Sequence, residues 1–552
     1  MNKWYFEIDN QGKISYKFEK KGKFIDDKIE FEDDEYILIL DGVIFNKLEL
    51  MKYKNTESWS ECIIKMYEDD IEFFGRLRGS FNGVIFEKKS ENLISFTNHT
   101  GERAVFYSKI SGKQIIISSD FNEIYKYFIK NKIKYNQDIN AIKFMITYGF
   151  MLNNVTYIEE IRRLMPGSYV TNQNIGVKYY HIFGSDKEKN FEDEDEIIEE
   201  IDRKFRQAIR RQFDKDKEYG YKSLVDISGG LDSRTINYVA KDMGYKNILN
   251  ISYSQINSYE QEVTEMLVKD LGFDYIYKSL DNASFIYELD EIIEKNYGLS
   301  IYSGITGGKQ LLESLNMDKY GLEHTGLLGD VADGTFEFKN YHTDAKYDDK
   351  YRFSNVLNKD ILPKEILKNY LNQEMFYFYT RGMLGGACTH FIRRNYIETF
   401  SPFSDVDFLT LSHQIDLKTR YDNRIFRKWI TKKYPDATKI VYDKTMCDIN
   451  SSKARVKLEK IKRKLIPYIK SKIGIELKEE YSKGMNPYEY WYENSQELRD
   501  FIKEYFEENL ERVESKDIQN LIKEVYEKGK VIDKMCVLTA LGAIKKYFKD
   551  GE

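Results

Sequence analysis

The sequence predicts an α/β protein in which a mainly β N-terminal part precedes a parallel sheet covered by helices, followed by a helical C-terminal part. Short apolar runs separated by turn residues fill residues 1–182 and are typical of strands. Over residues 197–280, strand patterns alternate with helical patterns, which indicates a parallel sheet with both faces covered. From about residue 450 onward the pattern is helical and heavily charged.

Size and composition limit the class of protein. A chain of 552 residues is too long for one ordinary core, so two or three domains are expected. The net charge of −6 provides no general attraction for nucleic acid, and no nucleic-acid partner is expected. The four cysteines form no CxxC pair, which fits a reducing compartment without disulfides or a zinc cluster. No apolar run is long enough to cross a bilayer, so we expect a cytoplasmic protein without a membrane partner.

The order of the predicted elements gives the domain boundaries. The N-terminal part contains the candidate strands YILIL, GVIF, NLISF and KQIIISS and a candidate helix at 121–132. The acidic stretch SDKEKNFEDEDE then indicates a connector, and an amphipathic helix follows it. Further strands are predicted at 224–227, 247–254 and 274–280, with a helix at 259–271. The predicted units are a domain at 1–184, a linker at 185–198, a domain at 199–450 and a C-terminal extension at 451–552.

The stretch SGGLDS at 228–233 lies where a predicted strand ends and a helix begins. In an open α/β sheet, ligands bind beyond the carboxyl ends of the strands. The two glycines can adopt positive φ and let backbone N–H groups approach an anion, and the two serines add hydroxyl donors. The helix that begins near Leu231 adds its positive dipole end. Because Asp232 would repel a bare phosphate, its presence indicates a Mg²⁺ ion between them.

The same hexapeptide resembles the pyrophosphate loop (PP-loop) of the ATP pyrophosphatases, and within them the asparagine synthetase family with its β-lactam synthetase and lasso-peptide cyclase relatives. Three later segments resemble that family in its order: HTGLLGD (324–330), SPFSD (401–405) and NRIFRKWITKKYPDATKIVYDKT (423–445). The resemblance implies a doubly wound parallel-sheet domain that binds an adenine nucleotide. It also implies that Asp232 and Asp330 share Mg²⁺, and that Lys444 stands in the family's lysine position, where it would stabilise the pyrophosphate or a later tetrahedral oxyanion.

The N-terminal part resembles the glutaminase domain of the same family. The matching stretches are LDGVIFN (40–46), LRGSFNGVIF (77–86), TNHTGERAVFY (97–107), SSDFNEI (118–124) and LMPGSY (164–169). The resemblance implies an Ntn-type αββα sandwich, which in glutamine-using members hydrolyses glutamine to ammonia.

Three departures from the family predict that glutaminase activity is lost. Residue 2 is the nucleophilic cysteine in those members, whereas this chain has Asn2, and a carboxamide is no nucleophile. Asp41 replaces the oxyanion-hole asparagine and brings a negative group to the place where negative charge would develop. No counterpart of the family's HRRLAI segment occurs. We expect the domain to remain as a scaffold, or as a surface for a partner or substrate.

The acceptor end of the predicted site also departs from the family. Leu327 stands where asparagine synthetases have Glu and β-lactam synthetases have Tyr beside the reacting nitrogen, and Val331 replaces a further acid. An attacking amine must lose a proton, which leucine cannot accept. Nearby alternatives are His324, Asp333 and Glu337; the sequence does not select among them, and His324 is expected to be structural.

Taken together, the resemblance implies an ATP-dependent, AMP-forming amide ligase without glutaminase activity. The alternatives are an ammonia-dependent asparagine synthetase and a non-catalytic ATP-binding regulatory protein. Expected partners are ATP with Mg²⁺, a carboxylate that is a small molecule or a peptide, an amine or ammonia donor, and a partner protein or second copy of the chain. The predicted catalytic residues are Lys444, Asp232 and Asp330, and the two aspartates are also the predicted metal ligands. The predicted nucleotide-binding residues are Ser228, Gly229, Gly230, Leu231, Asp232, Ser233, Ile251, Ser252, Tyr253, Gly326 and Gly329.

Other charged residues leave their roles open. Arg234 suits either a phosphate contact or a surface ion pair. Glu260 and Glu262 are expected to be acidic residues at the N-terminus of a helix rather than ligands. Residues 451–475 hold nine Lys or Arg against Glu459 alone, typical of a solvated helix face or of a surface for an anionic partner.

Overall fold

The computed structural model describes residues 2–173, 176–304, 306–332, 334, 343–452, 454–462 and 483–548. The strands are β1 Trp4–Ile8, β2 Ile14–Phe18, β3 Ile29–Glu32, β4 Tyr36–Ile44, β5 Gly79–Glu87, β6 Asn92–Thr97, β7 Phe106–Ser111, β8 Gln114–Ser118, β9 Arg162–Arg163, β10 Ser168–Thr171, β11 Lys178–Tyr179, β12 Lys222–Asp226, β13 Ile248–Ser254, β14 Asp274–Ser279, β15 Tyr320–His324 and β16 Glu398–Phe400. The helices are α1 Lys47–Lys54, α2 Trp59–Asp69, α3 Phe121–Lys130, α4 Ile139–Tyr148, α5 Glu194–Glu218, α6 Leu231–Asp242, α7 Tyr259–Leu271, α8 Leu289–Asn296, α9 Thr306–Glu313, α10 Gly329–Ala332, α11 Gln373–Tyr377, α12 Ala387–Arg393, α13 Val406–Gln414, α14 Leu417–Arg420, α15 Arg424–Lys433, α16 Pro435–Lys439, α17 Tyr488–Asn494, α18 Gln496–Asn509, α19 Lys516–Lys528 and α20 Val531–Tyr547. A π-helix, Phe378–Gly386, joins α11 to α12.

The N-terminal part is a four-layer αββα sandwich, which confirms the predicted fold. One antiparallel sheet has the strand order β2-β1-β8-β7-β9 and the other has the order β11-β10-β6-β5-β4-β3. Apolar side chains of both sheets, such as Phe6 and Val84, form the core between them. The outer face of the second sheet packs on α1 and α2, and that of the first sheet packs on α3 and α4. Because β4 is covered on both faces, all nine of its residues are buried.

The second part is a parallel five-stranded sheet with the order β14-β13-β12-β15-β16. The chain runs outward from β12 in one direction, then returns to pair β15 on the other side of β12, so the sheet is doubly wound. A crevice opens at such a switch point, beyond the carboxyl ends of the two strands. The loops after β12 and β15 therefore meet at one edge of the sheet.

The predicted linker at 185–198 extends too far. Helix α5 begins at Glu194, so residues 194–198 belong to the helix rather than to the connector. The side chain of Asp193 caps the helix by accepting hydrogen bonds from the N–H groups of Asp195 and Glu196. Acidic residues in the first turn favour the positive end of the helix dipole, which explains why an acidic run begins a helix here.

The C-terminal part is helical, as predicted, but its last helix is not a charged outer layer. Most of α20 is buried, including all residues from Met535 to Ile544. The helix packs against α4 of the N-terminal sandwich, against α8 and against α18. Since it has apolar residues on nearly every side, it fills a core between the other parts of the molecule. Among the described residues we find no helix with both the length and the apolar content needed to cross a bilayer.

Candidate functional site

The loop between β12 and α6 is held by its own serines. The Ser228 N–H donates to Oγ of Ser233 at 2.9 Å, and the two hydroxyl oxygens lie 2.7 Å apart. Neither Gly229 nor Gly230 has a positive φ, contrary to the conformation considered from the sequence. Glycine is required at 229 for another reason: a Cβ there would lie 2.5 Å from Cβ of Asp443. The close approach of a neighbouring loop, rather than backbone conformation, explains this glycine.

A cavity of about 450 Å³ opens beside this loop at the carboxyl edge of the parallel sheet. Most of the predicted nucleotide-binding residues line it, together with the predicted catalytic ones. Its wall comprises Asp226, Ile227, Ser228, Gly230, Leu231, Asp232, Ser233, Ile251, Ser252, Tyr253, Glu260, Thr325, Gly326, Leu327, Asp330, Thr389, His390, Arg393, Tyr442, Asp443, Lys444 and Met485. We call it the first cavity.

The loop after β15 brings the two aspartates together. A Cβ at Gly329 would lie 2.3 Å from the carboxyl carbon of Asp232, so only glycine lets that carboxylate lie against this loop. Asp330 follows directly, and both aspartates line the first cavity. Leu328 has φ of 69°, a conformation that side chains other than glycine adopt at a cost of about 1–2 kcal/mol. The hydroxyl of Ser401, from the SPFSD segment, holds this turn by donating to the Leu327 carbonyl at 2.7 Å.

A buried arginine positions the loop that carries Lys444. Arg234 is 1% exposed and donates to the carbonyl oxygens of Ala437, Ile440 and Val441 and of Gly229. It is therefore neither a phosphate ligand nor a surface ion pair, because its guanidinium is used to fix one loop to the other. Lys444 itself is exposed at the cavity. Burial lowers its pKa, but Tyr442 and Asp330 outweigh this, so the pKa of Lys444 is raised and the side chain is cationic.

Glu260 differs from the sequence interpretation as a helix N-terminal charge. It is 6% exposed, and its carboxylate accepts a hydrogen bond from the Gly229 N–H at 3.0 Å. Burial, with the neighbouring Asp443 carboxylate, raises the pKa of Glu260 to about 7. A loop amide that could bind phosphate is thus bound by a side chain of the protein. Glu262, on the same turn of α7, is exposed.

A chain of three polar residues borders the first cavity beside Leu327. The Nδ1 atom of His390 lies 3.0 Å from a carboxylate oxygen of Glu102, and its Nε2 atom lies 3.1 Å from the hydroxyl oxygen of Thr325. Burial lowers the pKa of His390 despite the Glu102 carboxylate, so the ring is neutral. We assign the Nδ1 proton to the bond with Glu102, which leaves Nε2 to accept a proton from Thr325.

The base candidates considered from the sequence are placed differently. His324 is fully buried at the end of β15, where its Nε2 atom lies 2.9 Å from Asp216 and its ring stacks on Phe213. It does not line the cavity. Asp333 and Glu337 lie outside the described residues. The side chain of Val331 also lies outside them.

A second cavity of about 470 Å³ adjoins the first. The two share Asp232, Gly326, Leu327, Asp330 and Thr389. The remaining wall comes from four regions: the N-terminal sandwich (Gly149, Phe150), loops of the parallel-sheet part (Ser300, Ile301, Gly304, Leu328, Phe353), the π-helix (Arg381, Gly382, Gly385, Gly386) and the C-terminal part (Asn486, Tyr488, Ile532). All three parts of the chain therefore build this space.

A third cavity, of about 490 Å³, lies on another side of the two aspartates and includes Lys457 and Lys460. These lysines belong to the basic stretch predicted at 451–475. Residues 453 and 463–475 of that stretch lie outside the described residues. The described end of the stretch thus borders the site.

An ion-pair network surrounds Asn2 and Asp41, the two residues at which the sequence departs from the glutaminase pattern. The Asn2 side chain donates to Asp41 at 2.8 Å, and Asp41 also pairs with Arg103 at 2.6 Å. Arg103 bonds in turn to Glu398 at the start of β16, so the network joins the two parts of the molecule. The cavity that Asn2 and Glu398 line contains none of the four cysteines, all of which are among the described residues and buried. Asp41 is thus ion-paired with Arg103, and a carboxylate, which only accepts hydrogen bonds, does not stabilise an oxyanion.

The donor set around Asp232 and Asp330 fits a magnesium ion. Their carboxylates supply the oxygen ligands that Mg²⁺ prefers, and the space between them is open to both cavities. Within the described part of the chain, no three or more histidine, cysteine or acidic side chains are placed to hold a metal alone. A pair of carboxylates suits Mg²⁺ because this ion usually binds one or two carboxylates together with substrate phosphates.

The fold combines an αββα sandwich with a doubly wound parallel sheet whose loops after β12 and β15 meet at its carboxyl edge. A family model described as a glutamine amidotransferase domain matches residues 28–182. The glutamine-hydrolyzing asparagine synthetase 1 of Bacillus subtilis (strain 168) is 22% identical over 275 residues, which are 48% of this chain and 42% of that protein. Residues 28–182 thus resemble a glutamine amidotransferase domain, and part of the chain is similar to an asparagine synthetase.

Other similarities are weaker. The amidase chyE of Penicillium rubens is 20% identical over 190 residues, which are 33% of this chain and 26% of that protein. The solved structure of the allosteric regulatory enzyme of purine biosynthesis is 11% identical and covers 50% of this chain and 74% of its own, with a TM-score of 0.22, too low to support an argument. The chain spans less than half the length of the curated relatives named here.

Proposed function

We propose that the protein is an ATP-dependent, AMP-forming amide ligase without glutaminase activity. The observation that carries the proposal is the first cavity, where a helix N-terminus, two aspartates and an exposed lysine surround an open space at the switch point of the sheet. A helix N-terminus favours phosphate. The cavity volume of about 450 Å³ is in the range of small-molecule sites.

The chain's own residues have distinct roles in this proposal. The serines and the first turn of α6 bind the phosphates, and the ends of β12 and β13 bind the base and ribose. Asp232 and Asp330 hold Mg²⁺, which neutralises the phosphate charge when bound. A substrate carboxylate oxygen attacks the α-phosphorus, the bond to the bridging oxygen breaks, and pyrophosphate leaves. Lys444 stabilises the negative charge on that leaving group through a compact cationic head.

The second half-reaction needs a base, which Leu327 cannot provide. The Thr325–His390–Glu102 chain beside Leu327 provides one. The attacking amine gives its proton to the Thr325 hydroxyl, which passes its own proton to Nε2 of His390. The Glu102 carboxylate stabilises the resulting imidazolium. The amine nitrogen bonds to the acyl carbon and AMP leaves, so an amide forms. A base in this position is worth about 10²–10⁴-fold in rate.

The test follows pyrophosphate and AMP in a reaction with ATP, Mg²⁺ and a panel of carboxylates, with and without ammonium. We expect AMP release that requires a carboxylate, and no glutamate release from glutamine, because Asn2 is no nucleophile and the Asp41 carboxylate has no proton to donate to an oxyanion. Asp232→Asn should abolish AMP release, whereas Asp242→Asn, an exposed change on the same helix, should not. Failure of every carboxylate to give AMP refutes the ligase.

One observation favours a second candidate, a non-catalytic ATP-binding protein. The Glu260 carboxylate binds the Gly229 amide and adds negative charge beside the phosphate loop. A protein of that kind would bind ATP without carboxylate-dependent AMP release. The same assay, read together with direct ATP binding, separates the two functions.

A further inference from the structure

A fourth cavity, of about 550 Å³, lies between the N-terminal sandwich and the amino ends of three strands of the parallel sheet. Its wall includes the loop between β2 and β3 and the residues just before β12, β15 and β16. The first, second and third cavities lie at the opposite, carboxyl edge of the sheet, and none of the described residues that line them lines this one. The proposed reaction therefore leaves the fourth cavity without a role.

Positive charge exceeds negative charge in this wall. The charged side chains that line the fourth cavity are four cations and two acids: Lys21, Lys23, Lys28, Arg394, Asp318 and Glu398. The Glu398 carboxylate is already compensated, because it accepts a hydrogen bond from Arg103 and lies 3.6 Å from Nζ of Lys28. Asp318 is exposed. The fourth cavity is thus suited to an anion rather than to a cation.

A buried lysine fixes the loop that carries two of these cations. Lys28 is 2% exposed, and its ammonium donates to the carbonyl oxygens of Lys21 and Lys23 at 2.9 and 2.8 Å. The side-chain oxygen of Asn2 accepts a hydrogen bond from the Lys21 N–H at 3.2 Å. Between the two lysines, Gly22 has φ of 80°, a conformation that favours glycine. These contacts hold the backbone so that the side chains of Lys21 and Lys23 stay at the cavity.

Lys23 lacks an acidic partner. Its ammonium donates to the carbonyl oxygens of Met317 and Tyr320 and lies 5.3 Å from the ring centre of Tyr221. Within the described part of the chain it forms no ion pair, and the nearest acid to act on it is Asp318. Burial outweighs the surrounding acids and lowers the pKa of Lys23 to about 8. A partly buried ammonium without a counterion is costly, and an anion bound beside it would offset that cost.

The kind of cation indicates the kind of anion. The guanidinium in this wall is already bound, because Arg394 pairs with Glu102 at 3.3 Å and donates to the carbonyl oxygens of Glu102 and Thr399. No planar fork is therefore left for a carboxylate. A lysine ammonium is a compact charge with three N–H donors, and lysines can contact a tetrahedral oxyanion from several directions. These properties favour a phosphate group.

We propose that the fourth cavity binds a phosphate-bearing small molecule, with Lys23 and Lys21 as its cations, at a site separate from that of the reaction. The cavity volume of about 550 Å³ leaves room for an organic group beside the phosphate. Binding there requires no turnover and can be measured without any carboxylate substrate.

The bound anion would act on the base of the second half-reaction, a consequence that rests on the proposed function. Arg394 lines the fourth cavity and pairs with Glu102, and Glu102 lies 3.0 Å from Nδ1 of His390. Burial lowers the pKa of His390, and the positive charge of Arg394 adds to that effect. An anion beside Arg394 offsets part of its charge, so the pKa of His390 should rise when the ligand binds. The fourth cavity is then a regulatory site.

The binding test titrates the full chain with inorganic phosphate and with glycerol phosphate, followed by calorimetry. Lys23→Gln should weaken the binding of both by at least about 10-fold, the loss typical of one charge-assisted hydrogen bond. Its amide can still donate to the Met317 and Tyr320 carbonyls, and the melting temperature checks that the fold is kept. Lys20→Gln, an exposed change outside the cavity, is the matched control. Lys444→Gln removes the cation of the first cavity and should leave the Lys23-dependent binding unaltered.

A second measurement tests the charge of Lys23 itself. Sulfate is the probe because its own charge is constant between about pH 7 and pH 9.5. Its affinity for the parent should fall as the pH rises through about 8, where Lys23 loses its proton. Lys23→Arg stays charged and should keep its affinity over this range. The other charged or titratable groups that surround Lys23 are Lys21, Lys28, Asp216, Tyr221, Asp318, Arg394 and Glu398.

Two results would overturn the site: equal phosphate affinity in the parent and in Lys23→Gln, or binding that is lost in Lys444→Gln but kept in Lys23→Gln, because phosphate then occupies the first cavity. With glycerol phosphate present, the pH profile of amide formation should move to higher pH in the parent but not in Lys23→Gln, since a base with a raised pKa is neutral only at higher pH. An unmoved profile would refute the regulation. Lys23-dependent binding in a protein that releases no AMP would refute the ligase but not this site.

Discussion

The buried Glu260 carboxylate is expected to make the protein less stable as pH rises. Its pKa is raised from 4.5 to about 7, chiefly by burial. The two pKa values differ by about 2.5, and each pKa unit is worth about 1.4 kcal/mol, so the shift corresponds to about 3 kcal/mol of unfolding free energy. Because the folded pKa lies above the unfolded one, this stability is fully present below about pH 4.5 and is lost as the pH rises through about 7. Glu260→Gln cannot ionise, yet its amide oxygen can still accept from the Gly229 N–H.

The assay compares urea unfolding of the parent chain and of Glu260→Gln between pH 5 and pH 8.5, followed by fluorescence. Between pH 5 and pH 8.5 we expect the unfolding free energy of the variant to rise by about 2–3 kcal/mol relative to that of the parent. The value is below the full shift because the parent has already lost a smaller part of this stability at pH 5. Glu262→Gln, an exposed change on the same turn, serves as the control and should show no such trend. A constant difference between parent and Glu260→Gln at all pH values would refute the assignment of a raised pKa to this residue.

Two further predictions concern the chemistry. Lys444→Gln should lower the rate of AMP release by about 10²–10³-fold with little change in ATP affinity, because the Lys444 charge acts on the leaving group. Lys439→Gln, a surface change shortly before it in the chain, is the control and should have no effect. Equal losses of rate in both variants would contradict this role for Lys444. His390→Gln should retain carboxylate-dependent exchange of pyrophosphate into ATP but lose about 10²–10⁴-fold in amide formation. His413→Gln, at a buried histidine remote from the cavity, is its control, and loss of both half-reactions in His390→Gln would indicate a structural role only.

Much of the secondary structure could be predicted because it depends on short-range patterns. The helix predicted at 259–271 is Tyr259–Leu271, and the strand predicted at 247–254 is Ile248–Ser254. Alternation and helical spacing arise from residues within a few positions of one another. Helix α5 begins before its apolar spacing does, because Asp193 caps it and its first turn is acidic, whereas its first apolar residue is Ile197. An acidic run after a capping residue would have given the correct start.

The candidate site was predictable only where it lies on a local motif. The stretch at 228–233 and the turn before Asp330 stand out because glycines and acids follow apolar strands. His390 and Arg381 were missed, although the glycine-rich RGMLGG that contains Arg381 is an unusual run within a helical region. Nothing local marks Glu102 as the partner of His390, since 288 residues separate them.

What the sequence by itself determined is the order of the strands and helices, the place of the glycine-containing loop after β12, and the presence of Asn2 and Asp41 where the resemblance predicts a cysteine and an asparagine. What only the tertiary structure decided is the state of each charged group. Glu260 is held against Gly229 with a raised pKa, Arg234 is used to fix a loop, and Asp41 is paired with Arg103. The physical reason is that ionisation and pairing depend on burial and on contacts between residues far apart in the chain.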